Sequence, residues 1–495
     1  DSNVAVGQNA LTNTTTGSVN TAIGRQALQT NTTGSNNIAV GNQALLNSTT
    51  ADSNTIVGNY AGDAVTTGSR NVGMGEYAMS GTTTGADNTA IGKSALQANT
   101  TGDQNVALGR SSMLNNQTHH RNTSVGYQSM ASGVQGDNNV ALGYNSLYTN
   151  TADNNTALGY NSLFANTSGT LNTAVGQGAL DANTTANNNT AVGHASLTAN
   201  TTGANNTALG TFALDANTTA SNNVAVGYSA LLANTTGDNN TALGDVTLAA
   251  NTTGYSNTAV GATAMVVNTT GNQNTAVGAA ALDANTTADN NTAVGNAALG
   301  ANTTGSQNTA IGTNALDANT TGANNVAVGV SSLGSNTTAS SNTAVGISSM
   351  FTNTTGVSNV AMGQDALYAN TTGSNNVGIG RISLGANTTG DDNTAVGMSA
   401  LDSATTASYN TAVGRSALQA TTTNGSSTAV GASALGGNTT GALNTAMGSG
   451  TLQANTTGAE NVAIGYLALT NNTTGTHNVA VGSSDGASGA CLGTN

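Results

Sequence analysis

The chain has 495 residues and a formal net charge of −14, with 6% charged and 3% aromatic residues and no Pro or Trp. Only 7 residues are Lys or Arg, which argues against nucleic-acid binding because phosphate neutralisation needs clustered cations. No apolar run approaches the roughly 18 residues of a membrane-spanning helix, so we expect no membrane span. No signal peptide opens the chain, and we expect Asp1 to begin a mature or trimmed product.

A tandem repeat of seventeen residues organises the whole chain. Its landmark glycine recurs from Gly7 to Gly482 in 29 repeats, and the only shorter step is the sixteen residues from Gly143 to Gly159. A hydrophobic fraction of 37%, held at fixed points of each repeat, argues against a disordered chain. Strict periodicity of this length predicts a solenoid, in which each coil contacts only its neighbours.

We therefore predict a continuous solenoid array over residues 1–482 and an irregular tail over residues 483–495. The array begins at once with the motif Asn3-Val-Ala-Val-Gly7 and is most regular in its middle part. The single cysteine, Cys491, lies in the tail, so no disulfide framework is expected. Secretion is compatible with this composition.

The order of elements within one repeat follows from two apolar anchors. Counting positions 1 to 17 from the Asn, position 4 is always aliphatic or Met, and position 9 is Leu or Met in 27 of 29 repeats. Two anchors cannot form a helical face, so we predict one short strand at positions 1–4 and a second at positions 8–12. Gly at position 5 and Thr-Thr-Gly at positions 13–15 turn the chain. The predicted fold is an all-β parallel β-solenoid, or β-roll, of about 29 coils with two short strands per coil.

Strand alternation assigns residues to an interior and an exterior face. Positions 2 and 4 lie on one face, which we predict to point inward and to meet position 9. The predicted core residues in two neighbouring repeats are Val175, Leu180, Val192 and Leu197.

Small residues at positions 3 and 8 predict a close contact with another surface. A solvent-facing row would vary freely, whereas these positions hold Ala, Ser or Thr almost throughout. We predict that they form a self-association face, represented by Ala174, Ala179 and Ala191.

Asn at position 1 and Gly at position 5 predict structural ladders along the stack of coils. Side-chain amides both donate and accept, so stacked Asn residues can bond from coil to coil. The ladder residues of three successive repeats are Asn172, Asn189, Asn206, Gly176, Gly193 and Gly210.

Two further rows are candidates for recognition or modification. Position 6 varies widely and carries contact-prone residues, so we interpret it as a recognition edge that includes Tyr144, Tyr160, Tyr228, Arg381 and Arg415. The turn holds Asn-x-Thr sequons, and Asn183 and Asn251 are candidates for glycosylation. An alternative is that Asn, Thr and Gly occur there as turn formers.

No catalytic, cofactor or metal site is predicted. His119-His120-Arg121 contains the only His pair, and without partners of fixed geometry we interpret it as a solvated loop. Acidic residues recur at position 10, as at Asp181, but not in adjacent coils as a calcium-binding roll would need. No pair of carboxylates breaks the repeat at one place, which argues against a glycosidase.

The repeat resembles the head repeats of trimeric autotransporter adhesins, as in Asn461-Val-Ala-Ile-Gly-Tyr-Leu-Ala-Leu469. It is also similar to Asn-Thr-Ala-Ile-Gly repeats of secreted bacterial proteins and phage tail fibres that end in an intramolecular chaperone. The resemblance covers nearly the whole chain and implies a left-handed parallel β-roll that associates as trimers and binds host surfaces or matrix. The repeat here is longer than the usual adhesin head repeat through its Asn-Thr-Thr-Gly turn.

Together these features predict a non-enzymatic extracellular structural protein. We expect it to be a homo-oligomer on a cell or virus surface, forming a fibre or adhesive stalk by head-to-tail contact of uncapped coils or by lateral trimerisation. A host surface, matrix or glycan is the expected target, and a virion tail fibre is one setting. The alternative is a β-solenoid that binds ice or a glycan through ladders of Thr and Asn, although position 2 is expected to point inward.

Overall fold

The protein is described by a computed structural model covering residues 2–483. The chain divides into two units, Asp1–Val246 and Thr247–Asn495, and each is a parallel β-solenoid with one three-residue strand per repeat. The fold class predicted from the sequence is therefore confirmed, whereas one continuous array over residues 1–482 stays a prediction. Residues 484–495, including Cys491, lie outside the described part of the chain, so the predicted tail is not tested.

The strands recur once per repeat in both units. In the first unit they are β1 Val4–Val6, β2 Thr21–Ile23, β3 Ile38–Val40, β4 Thr55–Val57, β5 Val72–Met74, β6 Thr89–Ile91, β7 Val106–Leu108, β8 Thr123–Val125, β9 Val140–Leu142, β10 Thr156–Leu158, β11 Thr173–Val175, β12 Thr190–Val192, β13 Thr207–Leu209, β14 Val224–Val226 and β15 Thr241–Leu243. In the second unit they are β16 Thr258–Val260, β17 Thr275–Val277, β18 Thr292–Val294, β19 Thr309–Ile311, β20 Val326–Val328, β21 Thr343–Val345, β22 Val360–Met362, β23 Val377–Ile379, β24 Thr394–Val396, β25 Thr411–Val413, β26 Thr428–Val430, β27 Thr445–Met447, β28 Val462–Ile464 and β29 Val479–Val481.

Within each unit, consecutive strands pair in parallel and place each residue beside its equivalent in the next repeat. Thr275 pairs with Thr292 in the second unit. Thr156 pairs with Val140 in the first, so the register survives the sixteen-residue step. Parallel strands lie about 4.8 Å apart, and equivalent side chains therefore stack in rows along the unit.

The second predicted strand is wrong, because positions 8–12 form turns. Leu180 and Leu197 at position 9 have φ of 52° and 54°, and Ala195 at position 7 has φ of 50°. A left-handed backbone at alternate residues bends the chain too sharply for a strand. Positive φ also favours Leu or Met at position 9, since neither side chain is branched at Cβ.

The predicted orientation of the strand is also wrong, because position 3 faces the interior and positions 2 and 4 face outward. Ala174 and Ala191 are fully buried, while Val175 and Val192 are half-buried on the outer side. Leu180 and Leu197 at position 9 are fully buried, as predicted. The interior is narrow because the coil has only seventeen residues, so opposite Leu there is room for little more than a methyl group.

One repeat demonstrates this limit on volume. Ile56 replaces Ala at position 3, and Gly62 replaces Leu at position 9 of the same repeat. A Cβ atom on Gly62 would lie 3.5 Å from Ile56 Cγ2, and a Cβ on Gly73 in the next repeat would lie 2.8 Å from Ile56 Cδ1. The larger side chain is therefore accommodated by glycines around it, as close packing requires.

Gly at position 5 is required by both backbone conformation and space. Gly176 has φ of 137°, a conformation that side chains rarely adopt. A Cβ there would collide with the carbonyl group of Gly193, the equivalent glycine of the next coil. Gly178, two residues on, has nothing within 4 Å of its would-be Cβ, so the constraint belongs to position 5.

Candidate functional site

The outward residues of the strands form a uniform surface in each unit, which we call the strand face. It consists of positions 2 and 4, the first and third residues of every strand. Each of the 29 strands begins with Thr, Val or Ile and ends with Val, Ile, Leu or Met. No charged residue occupies these two positions in any described strand. The strand face is thus apolar apart from Thr hydroxyl groups.

The strand face is open to solvent. Leu209 is 47% exposed, Leu243 45% and Met447 43%, which is substantial for a side chain flanked by ladder neighbours on both sides. Soluble monomers rarely expose contiguous apolar patches of more than a few hundred Å². The strand face of each unit is therefore a candidate interaction surface.

The predicted self-association face is wrong in location. Ala174, Ala179 and Ala191 are all 0% exposed and line the interior of the coil, so they cannot meet another chain. Their small size reflects packing inside the coil against Leu at position 9. Sequence analysis assigned positions 2 and 4 to the core, but these positions form the exposed strand face, which another chain could contact.

The Asn residues of position 1 form a buried ladder. Asn172 Oδ1 accepts a hydrogen bond from the backbone N–H of Asn189 at 3.0 Å, and Asn189 Oδ1 accepts one from the N–H of Asn206 at 2.9 Å. Nδ2 typically donates to the backbone carbonyl of position 15 in its own repeat, as from Asn172 to Ala186 at 2.8 Å, whereas Asn223 Nδ2 has no partner among the described residues. The ladder thus joins side chain to backbone, which satisfies groups that would otherwise be buried without partners.

A second buried Asn row, at position 12, overturns the predicted glycosylation sites. Asn183 and Asn251 are both 0% exposed. Asn183 Nδ2 donates to Asn166 Oδ1 at 2.9 Å and to the carbonyl of Ala186 at 3.2 Å, and Asn251 Nδ2 donates to the carbonyl of Gly254 at 2.9 Å. A glycan on either nitrogen would break these bonds and has no room inside the coil. Sequence analysis could have identified this buried row from the recurrence of Asn at position 12, three residues before the Gly or Ala at position 15.

The recognition edge at position 6 is exposed but does not form a single site. Tyr144 stacks on Tyr160 with ring centroids 5.3 Å apart and planes inclined by 10°. Tyr228 lies edge-on to Phe212 at 6.2 Å in later coils of the same unit. Arg381 and Arg415 belong to the second unit and are exposed there. The stacking follows from register, which places equivalent rings one coil apart.

Positions 7, 10 and 11 of a few successive coils line a recess in each unit, and we call the position-7 and position-10 rows the groove. In the first unit a recess of about 640 Å³ is lined by Asp63, Tyr77, Ser80, Gly81, Gln97, Ala98, Leu114 and Asn115. In the second a recess of about 600 Å³ is lined by Ser348, Asp365, Tyr368, Ile382, Gly385, Ala386 and Asp402. Each contains a tyrosine, a glycine and at least one carboxylate, and sequence analysis missed both because the groove exists only once coils stack.

Several carboxyl groups at position 10 have raised pKa values. Burial raises the pKa values of Asp181, Asp317 and Asp402. Burial is also the main cause of the raised pKa of Asp283, to which the negative charge of Asp317 adds. These groups share a row that is half-covered by the neighbouring coils, so the desolvation is a property of the groove.

The histidine pair belongs to a polar corner rather than to a metal centre. The backbone N–H of Asp103 donates to His120 Nδ1 at 3.0 Å, and His119 Nδ1 lies 3.3 Å from Asp137 Oδ1. Within residues 2–483, no group of three or more His, Cys, Asp or Glu side chains is placed to hold a metal ion. The part of the chain that is described also contains no helix long and apolar enough to cross a membrane.

Comparison with protein families found no family whose pattern matches the chain, and comparison with curated proteins found no significant match.

Proposed function

We propose that this chain is a non-enzymatic extracellular structural protein that associates with copies of itself, through the strand face, into a fibre or adhesive stalk on a cell or virus surface. The observation that carries the proposal is the uncharged, solvent-exposed strand face, repeated in every coil of both units. Burial of apolar surface stabilises by about 25 cal/mol per Å², so even a few coils in contact would supply several kcal/mol before the cost of association.

The strand face fits another copy of this chain better than an unrelated partner. Its rows have one spacing and one chemistry along each unit, so a second copy presents rows of the same period. The absence of charge on the described strands removes the like-charge repulsion that a net charge of −14 would otherwise impose. The resemblance to adhesin head repeats favours lateral trimers. Secretion, attachment to a host surface, matrix or glycan, and a tail-fibre setting belong to the same proposal.

The test is the mass of the protein in solution, measured by light scattering and analytical ultracentrifugation together with electron microscopy. Wild-type protein should have a mass that is a multiple of 48.0 kDa. Leu209→Arg places a charge on the strand face and should shift the mass toward the monomer. Thr219→Arg, in the same repeat but on the exposed turn, should leave the assembly intact. A wild-type monomer, or equal assembly of folded Leu209→Arg, would contradict the proposal.

A second candidate function is ice binding by the same strand face. The observation in its favour is that Thr at position 2 points outward, against the sequence expectation. Thr156, Thr173, Thr190 and Thr207 stand beside one another in four successive strands, with aliphatic residues next to them at position 4. A monomer that produces thermal hysteresis, lost in Thr190→Lys, would favour this function over self-association.

A further inference from the structure

An aromatic stack in the second unit ends at a glycine. Phe351 and Tyr368 occupy position 10 of successive repeats, with ring centroids 5.7 Å apart and planes inclined by 13°. The next residue in this row is Gly385. Tyr368 and Gly385 both line the recess of about 600 Å³, and Gly385 has no side chain to cover the face of the Tyr368 ring turned away from Phe351. We call this space the Gly385 notch.

Carboxylates border the notch. Asp402 follows Gly385 in the position-10 row, and its Oδ1 lies 2.9 Å from where a Cβ on Gly385 would be. Asp365 lines the recess from the position-7 row and receives a hydrogen bond from Gln364 Nε2 at 3.1 Å. The neighbouring cation along the chain, Arg381, directs Nη2 to Met398 Sδ at 3.9 Å. Among the described residues, neither Asp365 nor Asp402 is in an ion pair.

We propose that the Gly385 notch binds a primary ammonium group, held between the open face of Tyr368 and the carboxylate of Asp402. An aromatic face attracts a cation within about 6 Å of its centroid, and desolvation strengthens the attraction. The half-buried carboxylate supplies the opposite charge. Ile382, whose Cγ2 lies 2.7 Å from the would-be Cβ of Gly385, provides an apolar wall for an alkyl chain. The ligand is therefore an alkylammonium, the chemistry of a lysine side chain.

Charge complementarity separates this ligand from the alternatives. Metal ions require several hard ligands, and the described residues offer no group of three. An anion would be repelled by Asp365 and Asp402. A neutral ring could stack on Tyr368 but would leave the carboxylate of Asp402 without compensation. Desolvation raises the pKa of Asp402, and a bound cation would offset that effect. The site does not depend on the strand face, so it is independent of the proposed self-association.

Calorimetric titration of the full-length protein with butylammonium tests the proposal, and 1-butanol serves as the uncharged counterpart. Butylammonium should bind saturably and 1-butanol should not. Asp402→Asn, which keeps the shape, should weaken binding by about tenfold, in keeping with a loss near 1.4 kcal/mol. Tyr368→Leu should weaken it similarly by removing the cation–π contact.

Gly385→Ala fills the notch and gives the sharpest comparison. Its Cβ would lie 2.7 Å from Ile382 Cγ2, 2.9 Å from Asp402 Oδ1 and 3.3 Å from the Ile382 carbonyl oxygen. Both side chains must therefore shift in the folded variant, which should lose this binding component. Gly436→Ala, at position 10 of a later repeat where the neighbours in the row are Gln419 and Gln453, should bind like wild type. Equal binding by Gly385→Ala, or equal binding of 1-butanol, would overturn the proposal. Tighter binding of N-acetyl-lysine methylamide than of butylammonium would identify a polypeptide as the source of the ammonium group, and equal binding a free amine.

Discussion

Individual asparagines carry an unusual share of the hydrogen bonding in this protein. Asn206 illustrates the arrangement: its N–H donates to Asn189 Oδ1 at 2.9 Å, its Oδ1 accepts the N–H of Asn223 at 3.0 Å, and its Nδ2 donates to the carbonyl of Ala220 at 2.9 Å. All these groups are buried, so no water replaces a lost partner. The chain itself contains one natural departure, Ser427, whose Oγ still accepts the N–H of Asn444 at 3.3 Å.

A graded substitution series at Asn206 tests this role. Asn206→Ala should lower the free energy of unfolding by roughly 1–3 kcal/mol, because it leaves the buried N–H of Asn223 without a partner. The carbonyl of Ala220 keeps its second hydrogen bond, from Asn217 Nδ2 at 3.0 Å. Asn206→Ser should lose about half as much, since a hydroxyl can still accept the N–H of Asn223. Thr219→Ser, on the exposed turn of the same repeat, should stay within about 0.5 kcal/mol of wild type. Urea denaturation measures the differences, and equal stability of all three variants would rule out the ladder as a major stabilising element.

At the scale of the element, the three-residue strand separates two kinds of apolar residue that look alike in the sequence. Position 4 and position 9 both hold large aliphatic side chains, but only position 9 is inside the coil. Leu214 is fully buried, and Leu209, five residues earlier, is 47% exposed. The half-turn between them has positive φ at Phe212 and Leu214, which directs the second side chain inward.

Alanine substitutions of these two leucines should differ strongly. Leu214→Ala creates a cavity and should lower the free energy of unfolding by about 2–5 kcal/mol. Leu209→Ala should cost the monomer less than about 1 kcal/mol, because little buried surface is lost. Denaturation at concentrations where the protein is monomeric is the appropriate measurement. A larger loss of stability for Leu209→Ala than for Leu214→Ala in the monomer would indicate that position 4 points inward, as expected from the sequence.

Carboxylates such as Asp181 at position 10 make the stability of their coils depend on pH, and the direction of that dependence can be predicted. Burial raises the pKa of Asp181, and its Oδ1 is buried without a hydrogen-bond partner among residues 2–483. The folded state therefore binds the proton more tightly than the unfolded chain does. The contribution of the protonated Asp181 carboxyl to the free energy of unfolding is fully present below the unfolded pKa of about 3.9. It is lost as pH rises through the higher folded pKa, because the buried carboxyl must then ionise.

Asp181→Asn should consequently raise the melting temperature at pH 7 and leave it nearly unchanged at pH 3. Asp87→Asn should act in the opposite direction, because the guanidinium of Arg70, hydrogen-bonded at 2.6 Å, lowers the pKa of Asp87. Its effect should be small, since the pair is exposed and screened by solvent. Thermal denaturation of both variants at pH 3 and pH 7 tests these expectations. An equal effect of Asp181→Asn at both pH values would exclude desolvation of the Asp181 carboxylate as its cause.

At the scale of the whole molecule, each unit is a stack in which a coil bonds to the coils before and after it. Thr292 pairs with Thr275 on one side and with Thr309 on the other. Stability in such an array is close to a sum of coil and interface terms. The fold therefore tolerates a change in the number of coils better than a change in the register between neighbouring coils.

Removal of one complete repeat should be tolerated. Deleting residues 309–325 joins position 1 of one coil to position 2 of the next and should lower the melting temperature by less than about 5 °C, equivalent to 1–2 kcal/mol. Deleting residues 309–317 removes half a coil and should unfold the neighbouring coils, because side chains lose their register. Circular dichroism and limited proteolysis distinguish the outcomes. Equal tolerance of both deletions would contradict the register argument.

The sequence by itself determined the parallel β-solenoid, the length of a coil, the ladder glycines such as Gly176 and the buried leucines such as Leu180. These follow from a period that repeats without drift, and periodicity is a local property of the chain. The pairing of Ile56 with Gly62 also indicated which residues share the interior, although only in retrospect.

Only the tertiary structure decided which side of the strand faces inward, and with it the location of the candidate interaction surface. Val175 and Leu180 have similar hydrophobicity, so composition could not rank them. The choice depends on left-handed turns at positions 7 and 9 and on an interior too narrow for two large side chains. The Gly385 notch likewise depends on stacking, because it joins Tyr368 and Asp402 from different repeats. Contacts between coils are decided by backbone geometry, which the residue pattern records only indirectly.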